Sequence, residues 1–211
     1  MSSRLRSALS LSGVPGLICR RDPVHRVRSA RLDISVARVR DLSELASLED
    51  DETRHRNGRT LADEVAALDG IDPALPVWTR EYAMFVARER ITGRPAVSVT
   101  LAVTADRRMW VGGWVVADHR RRGYAREALD VVCAIVHRHL GVAELHAARE
   151  TDNVASGRWL ASCGFVQVDG PSTHVLPDGR SIEPDWWRHT DERARRRCVS
   201  LHAPGLTILF G

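Results

Sequence analysis

Between Trp114 and Glu127 the chain reads WVVADHRRRGYARE: an apolar run, an arginine-rich turn with one glycine, and a helix start. This order constrains the fold more than any other stretch, because a strand there hands its backbone directly to a helix N-terminus. Unpaired N–H groups and the positive end of the helix dipole meet at such a junction, so a phosphate can be held mainly by main chain. Gly123 allows a ligand close to the backbone because it has no Cβ. Ala125 keeps the first helical turn small, and Arg120, Arg121 and Arg122 add positive charge. The motif, Arg-x-x-Gly-x-Ala, is not the Gly-x-x-x-x-Gly-Lys loop of nucleotide triphosphatases. Taken alone, it also describes an ordinary solvated basic turn.

A second signal lies further along. Residues 153–165 read NVASGRWLASCGF, a short helix with Asn153 as N-cap and Gly164 as stop. RRRGYAREAL followed by NVASGRWLASCGF resembles the acyl-CoA site of the Gcn5-related N-acetyltransferases. It is most similar to the branch that modifies N-terminal amino groups of ribosomal proteins and related amines. The pattern of that branch is RGxGYAxEAL and then NxxSxxxLxxxGF. The resemblance spans residues 31–190, with residues 1–30 read as a basic leader and 191–211 as a C-terminal extension.

The resemblance implies an α/β (α+β) fold with a mixed, mostly antiparallel central sheet of about six to seven strands flanked by about four helices. Strands four and five are expected to splay apart and leave edge backbone free for the pantetheine arm. It implies acetyl-CoA as cofactor, no metal, and an amine-bearing peptide, protein N-terminus or small molecule as partner. The residues it assigns to the cofactor are Val115, Val116, Arg120, Arg121, Arg122, Gly123, Tyr124, Ala125, Arg126, Asn153 and Ser156.

Acylation of an amine by a thioester needs a deprotonated amine, a polarised carbonyl and a proton for the departing sulfur. Many relatives place a tyrosine seven positions after the asparagine; here that position is Leu160. Ser156 matches the serine of the N-terminal acetyltransferase branch and is the expected group at the sulfur. Relatives often carry a glutamate on the fourth strand, and MWVGGWVVA has none. For the base, Glu150 is the first choice and His146 the second, with a water chain as the alternative. The same fold also accommodates a longer-chain acyl-CoA transferase or a non-catalytic acyl-CoA-binding module.

Composition narrows the rest. With 44% hydrophobic and 27% charged residues, the 211-residue chain has the balance of a soluble globular domain. All 31 cationic residues are arginine, so the protein has no side-chain amine of its own to acylate. The net charge of +4 forms no basic stripe interleaved with aromatics, which argues against nucleic acid. Cys19, Cys133, Cys163 and Cys198 have neither zinc nor disulfide spacing. The weakly apolar ALSLSGVPGLIC is broken by Gly13, Pro15 and Gly16 and reads as leader rather than signal peptide. No stretch reaches the ~18 apolar residues of a membrane span. A cytoplasmic location is expected, with pairing into a homodimer left open.

Periodicity predicts a strand over 30–39, a helix capped by Asp41, a second helix over 60–70, strands over 82–90, 96–104 and 109–117, a helix over 125–140, a strand over 142–148, a helix over 153–163, and two closing strands. The charged LEDDETRHRNG reads as a mobile connection. Gly112–Gly113 inside a strand suggests a bulge or a close approach by a ligand.

Overall fold

The computed structural model describes residues 25–78, 81–191 and the backbone of 207–210. The leader up to residue 24, with Cys19, and the arginine run RARRRC, with Cys198, lie outside the described residues. In chain order the elements are His25–Arg28 (β1), Leu32–Val36 (β2), Val39–Ser47 (α1), Asp51–Asn57 (α2), Leu61–Ala66 (α3), Tyr82–Glu89 (β3), Pro95–Val103 (β4), Met109–Val115 (β5), Tyr124–Ala134 (α4), Glu144–Glu150 (β6), Val154–Ser162 (α5), Val166–Val168 (β7), His174–Val175 (β8), Ser181–Ile182 (β9), Pro184–Thr190 (β10) and Thr207–Phe210 (β11). A turn of 3-10 helix, Ala117–His119, precedes α4, and a π-helical turn, Ile135–His139, continues it.

One sheet runs in the order β11-β1-β2-β3-β4-β5-β6-β10-β7, while β8 and β9 form a separate hairpin. All neighbours in the sheet are antiparallel except β5 and β6, which are joined through α4 as a parallel pair requires. Side-chain alternation divides the core between the two faces of this sheet. Ala83, Phe85 and Ala87 of β3 join Val97, Val99 and Leu101 of β4 under Leu129 and Val132 of α4 and Leu160 of α5. Met84 and Val86 point the other way, onto Leu42 and Leu45 of α1 and Leu61 of α3. Buried on both sides, β3 therefore reads as a continuous apolar run rather than an alternating one.

Several expectations need correction. LEDDETRHRNG is not a loop but contains α2. Asp50 caps it by accepting from Thr53 N at 3.0 Å, and Gly58 ends it in the left-handed conformation. Acids fill its first turn and bases its last, which suits the helix dipole; the helix was illegible because only Thr53 is buried, so no apolar stripe exists. Asp41 is not the cap of α1. It lies one turn in and accepts from Arg38 N at 2.7 Å, the returning half of a capping box. The sheet begins at His25, ahead of the expected boundary at Arg31, and β11 of the C-terminal extension pairs with β1. Seven strands of this sheet lie within residues 31–190.

No bulge occurs at Gly112–Gly113: the register of β4 with β5 runs unbroken from Val97–Val115 to Val103–Met109. The irregularity sits instead between β3 and β4, at Ala87 and Arg88. The expected splay is present, since β5 pairs with β6 only at Met109–Leu145 and Trp110–His146. Beyond Trp110 the two strands part, and they part at the glycines.

Candidate active site

The junction after β5 is built as the residues dictate. Gly123 sits at φ 78°, left-handed, and precedes α4 with no side chain capping the helix, so the first amide groups of α4 have no intrahelical acceptor. Arg121 and Arg122 are exposed and make no ion pair among the described residues. Arg120 does not share that role. Its guanidinium pairs with Asp50 at 2.8 Å and Glu52 at 3.0 Å, and its Nε donates to the Val115 carbonyl at 3.3 Å. It fastens the turn to α2. Val116 is buried, its N–H donates to Ala96 O at 2.9 Å and its carbonyl accepts from His119 N at 2.8 Å, while Val115 is half-buried. Ala125 is half-buried, and Arg126 lies exposed along the helix toward Asp130 at 3.7 Å.

Tyr124 is buried, and its hydroxyl donates to Glu89 at 2.5 Å. Above its ring, 4.8 Å from the centroid, lies the guanidinium of Arg31. Arg31 was not foreseen. Its Nη1 donates to Arg122 O at 2.7 Å, and its Nε and backbone N donate to Glu127 at 2.8 and 2.7 Å. A Cβ at Gly123 would lie 3.3 Å from Arg31 Nη2. Burial opposes the charge of Glu127, but hydrogen bonds from Ser29 and Arg31 outweigh it and hold its pKa below the ordinary value. The contact joins positions 91 residues apart, so no local pattern announces it.

Where β5 leaves β6, two cavities meet. One, about 180 Å³, is lined by Gly112, Gly113, Arg149, Glu150, Asn153, Ser156, Trp159 and Leu129 among others. The second, about 330 Å³, lies toward the N-terminal helices and is lined by Glu49, Arg59, Leu61, Glu64, Met84, Thr100 and Trp114. Arg56, Asn57, Gly112 and Gly113 belong to both. Asn153 caps α5 as expected, accepting from Ser156 N at 3.1 Å. The structure thus brings Glu150, Asn153 and Ser156 together at the gap between the strands. His146 falls elsewhere, beside Trp110 at 5.3 Å between ring centres, with burial lowering its pKa.

Glu150 reaches the cavity but is engaged by the guanidinium of Arg56, and Arg180 lies 3.5 Å from its other oxygen. Two guanidinium groups, one from α2 and one from the segment before β9, thus face the Glu150 carboxylate. The helix glycine Gly157 now has a reason: a Cβ would come within 2.8 Å of Arg149 Nε. Arg149 is held there by Asp185 and by the carbonyls of Glu150 and Thr151. A glycine inside an otherwise good helix was the available signal for that close approach. Cys133 and Cys163 are buried and free, and burial pushes the Cys163 thiol up to about 12, so neither is a nucleophile.

These features fit a nucleotide-linked thioester. The bare amides after Gly123 suit a diphosphate. Trp159 carries a buried indole N–H with no acceptor among the described residues, beside the gap. Comparison with known proteins agrees. The model of the acetyltransferase (GNAT) domain matches residues 31–166. This chain belongs to that family. It is an acyl-CoA-dependent N-acetyltransferase.

Solved structures share the GNAT fold at low identity. Spermidine N-acetyltransferase from Vibrio cholerae, in complex with CoA and spermine, superposes with a TM-score of 0.63 at 14% identity, covering 78% of this chain and 98% of its own. Ribosomal-protein-S5-alanine acetyltransferase from Vibrio fischeri gives 0.60 at 13%, covering 81% and 98%. The ribosomal L7/L12 α-N-protein acetyltransferase RimL, in complex with CoA, gives 0.60 at 11%, covering 78% and 97%. No curated protein matches the chain significantly. Among the described residues of this acetyltransferase, no helix is long and apolar enough to cross a membrane, and no cluster of His, Cys, Asp and Glu could hold a metal ion.

Proposed function

We propose that this acetyltransferase moves the acetyl group of acetyl-CoA onto a primary amine by direct attack in a ternary complex, the amine being a protein or peptide N-terminus or a small molecule. The observation that carries this reading is the meeting of two cavities at Gly112–Gly113, where β5 parts from β6. The smaller cavity holds Asn153 and Ser156 and receives the thioester end. The larger receives the amine. Relatives of the same fold act on spermidine and on ribosomal proteins, according to their names, which supports an amine acceptor of either kind.

Bound acetyl-CoA supplies an activated acetyl group; the chain supplies its placement. The amides following Gly123, with Arg121 and Arg122 beside them, hold the diphosphate. The free edge of β5 offers hydrogen bonds to the pantetheine amides. Ser156 stands at the sulfur end, its backbone N–H fixed by Asn153, and relays a proton to the leaving thiolate.

Thermal unfolding with and without acetyl-CoA tests the reading. At ligand about 100-fold above Kd the folded state gains about 2.7 kcal/mol. Gly123→Asp, which places a strained side chain and a negative charge in the diphosphate corner, removes that gain. A wild-type protein that shows no shift, or a variant that shows the same shift, refutes the proposal.

A further inference from the structure

The acceptor-side cavity carries an imbalance of charge that acetyl transfer to an amine, as read above, leaves unexplained. Of its charged groups, Arg56 is committed to Glu150 and Asp152 outside it. That leaves Glu49, Glu64 and Arg59. Glu49 is buried and accepts from Leu61 N at 2.9 Å, at the start of α3. Glu64, whose side chain is 12% exposed, meets Arg59 Nη1 at 2.7 Å through Oε1. Among the described charged residues of this largely buried wall, two carboxylates thus remain beside one guanidinium. Excess charge of this kind is unfavourable unless a cation enters to meet it. A protonated primary amine is such a cation, and it is the form in which most amines exist at neutral pH.

We infer that Glu64 receives the acceptor as its ammonium and takes from it the proton that must leave before the nitrogen can attack; this rests on the acetyl-transfer reading. The proton passes to the Glu64 carboxylate and then to solvent. The neutral nitrogen bonds to the acetyl carbon as the carbon–sulfur bond breaks. The second nitrogen proton goes to the departing sulfur through Ser156. One amide, one thiol and one released proton result.

Glu64 faces one guanidinium, whereas Glu150 faces two. Burial pushes the Glu64 carboxyl up; Arg59 works against the shift, while Glu49 and Asp63 reinforce it. The Tyr82 hydroxyl, buried nearby, is itself pushed up by burial and stays protonated. Sequence signals pass over Glu64 because it is one acid among several in LADEVAALDG. The same imbalance sets the substrate class. A free amino acid brings a carboxylate against Glu49 and Glu64, whereas a peptide N-terminus or simple amine does not.

CoA release with alaninamide and with alanine as acceptors tests the inference. Alaninamide is expected to exceed alanine in kcat/KM at least about tenfold, the scale of one unfavourable charge contact. The wild-type profile of kcat/KM against pH is expected to be a bell that falls as the amine loses its proton near ~8. Glu64→Gln lowers kcat/KM at pH 7 about 100-fold and turns the bell into a profile that rises through the amine's pKa. Glu64→Asp keeps the bell, and calorimetric CoA affinity stays unchanged in both variants. If Glu64→Gln fails to fold, a wild-type profile with no fall at high pH overturns the inference by itself. Turnover with an unchanged profile in Glu64→Gln overturns the role of Glu64 and leaves acetyl transfer standing. No turnover with alaninamide, spermidine or any other amine overturns both.

Discussion

Gly113 shows how much one missing side chain decides. A Cβ there would lie 2.4 Å from the Ser98 carbonyl, which is fixed in the sheet, and 3.2 Å from the Trp159 ring. Neither neighbour can withdraw without opening β4–β5 or unseating α5. At Gly112 the nearest atom to such a Cβ is Thr100 Oγ1, at 3.3 Å, and a hydroxyl rotates aside. Gly113→Ala is accordingly expected to cost about 2–3 kcal/mol by overpacking, and Gly112→Ala under about 1 kcal/mol. Urea unfolding of both variants checks this; equal midpoints would show that the two glycines do not differ. The sequence marked both positions as unusual for a strand. Which of them faces a fixed carbonyl and which a rotatable hydroxyl depends on register, which a pair of identical residues cannot reveal.

At the scale of elements, the helix α4 and its π-helical continuation carry a second device. His137 Nε2 lies 2.8 Å from His189 Nδ1 on β10, and His137 Nδ1 lies 2.6 Å from the Val142 carbonyl. The rings stack at 4.9 Å. Burial lowers the pKa of both. A depressed histidine pKa means that the folded state binds fewer protons than the unfolded chain. Stability is therefore full above the unfolded value near ~6.5 and is lost as pH falls through it. The urea midpoint is expected to be level from pH 8 to 7 and to drop between pH 6.5 and 5. The drop should be clearly shallower when both histidines are replaced by glutamine; an identical slope in that variant refutes the assignment. The helix itself was legible, because Ala128, Leu129, Val132, Cys133 and Val136 recur at helical spacing and all are buried. The pairing of its end with β10 was not, since it joins residues 52 positions apart. Helix α2 failed for the opposite reason. Its capping signals, Asp50 and Gly58, were present, but nothing apolar drew attention to them.

For the molecule as a whole, the proposed cofactor corner is held by residues far apart in sequence. Arg31, in the turn between β1 and β2, orients the Arg122 carbonyl and Glu127 while covering Tyr124. Arg31→Ala releases the turn on its outer side and is expected to raise the Kd for CoA about tenfold, the scale of one charge-assisted hydrogen bond. Isothermal calorimetry measures this directly, and an unchanged Kd removes Arg31 from the site. The strand–turn–helix junction at Gly123 and the capped helix at Asn153 were fixed by local residues, because capping, glycine geometry and apolar periodicity act within a few positions. With them came the family. The acceptor side was not accessible in that way. Glu49, Arg56, Arg59 and Glu64 carry no motif, and their meaning comes from which of them pair and which charge is left over. Partnership of that kind is a property of distance and burial across packed elements, and only the folded chain determines it.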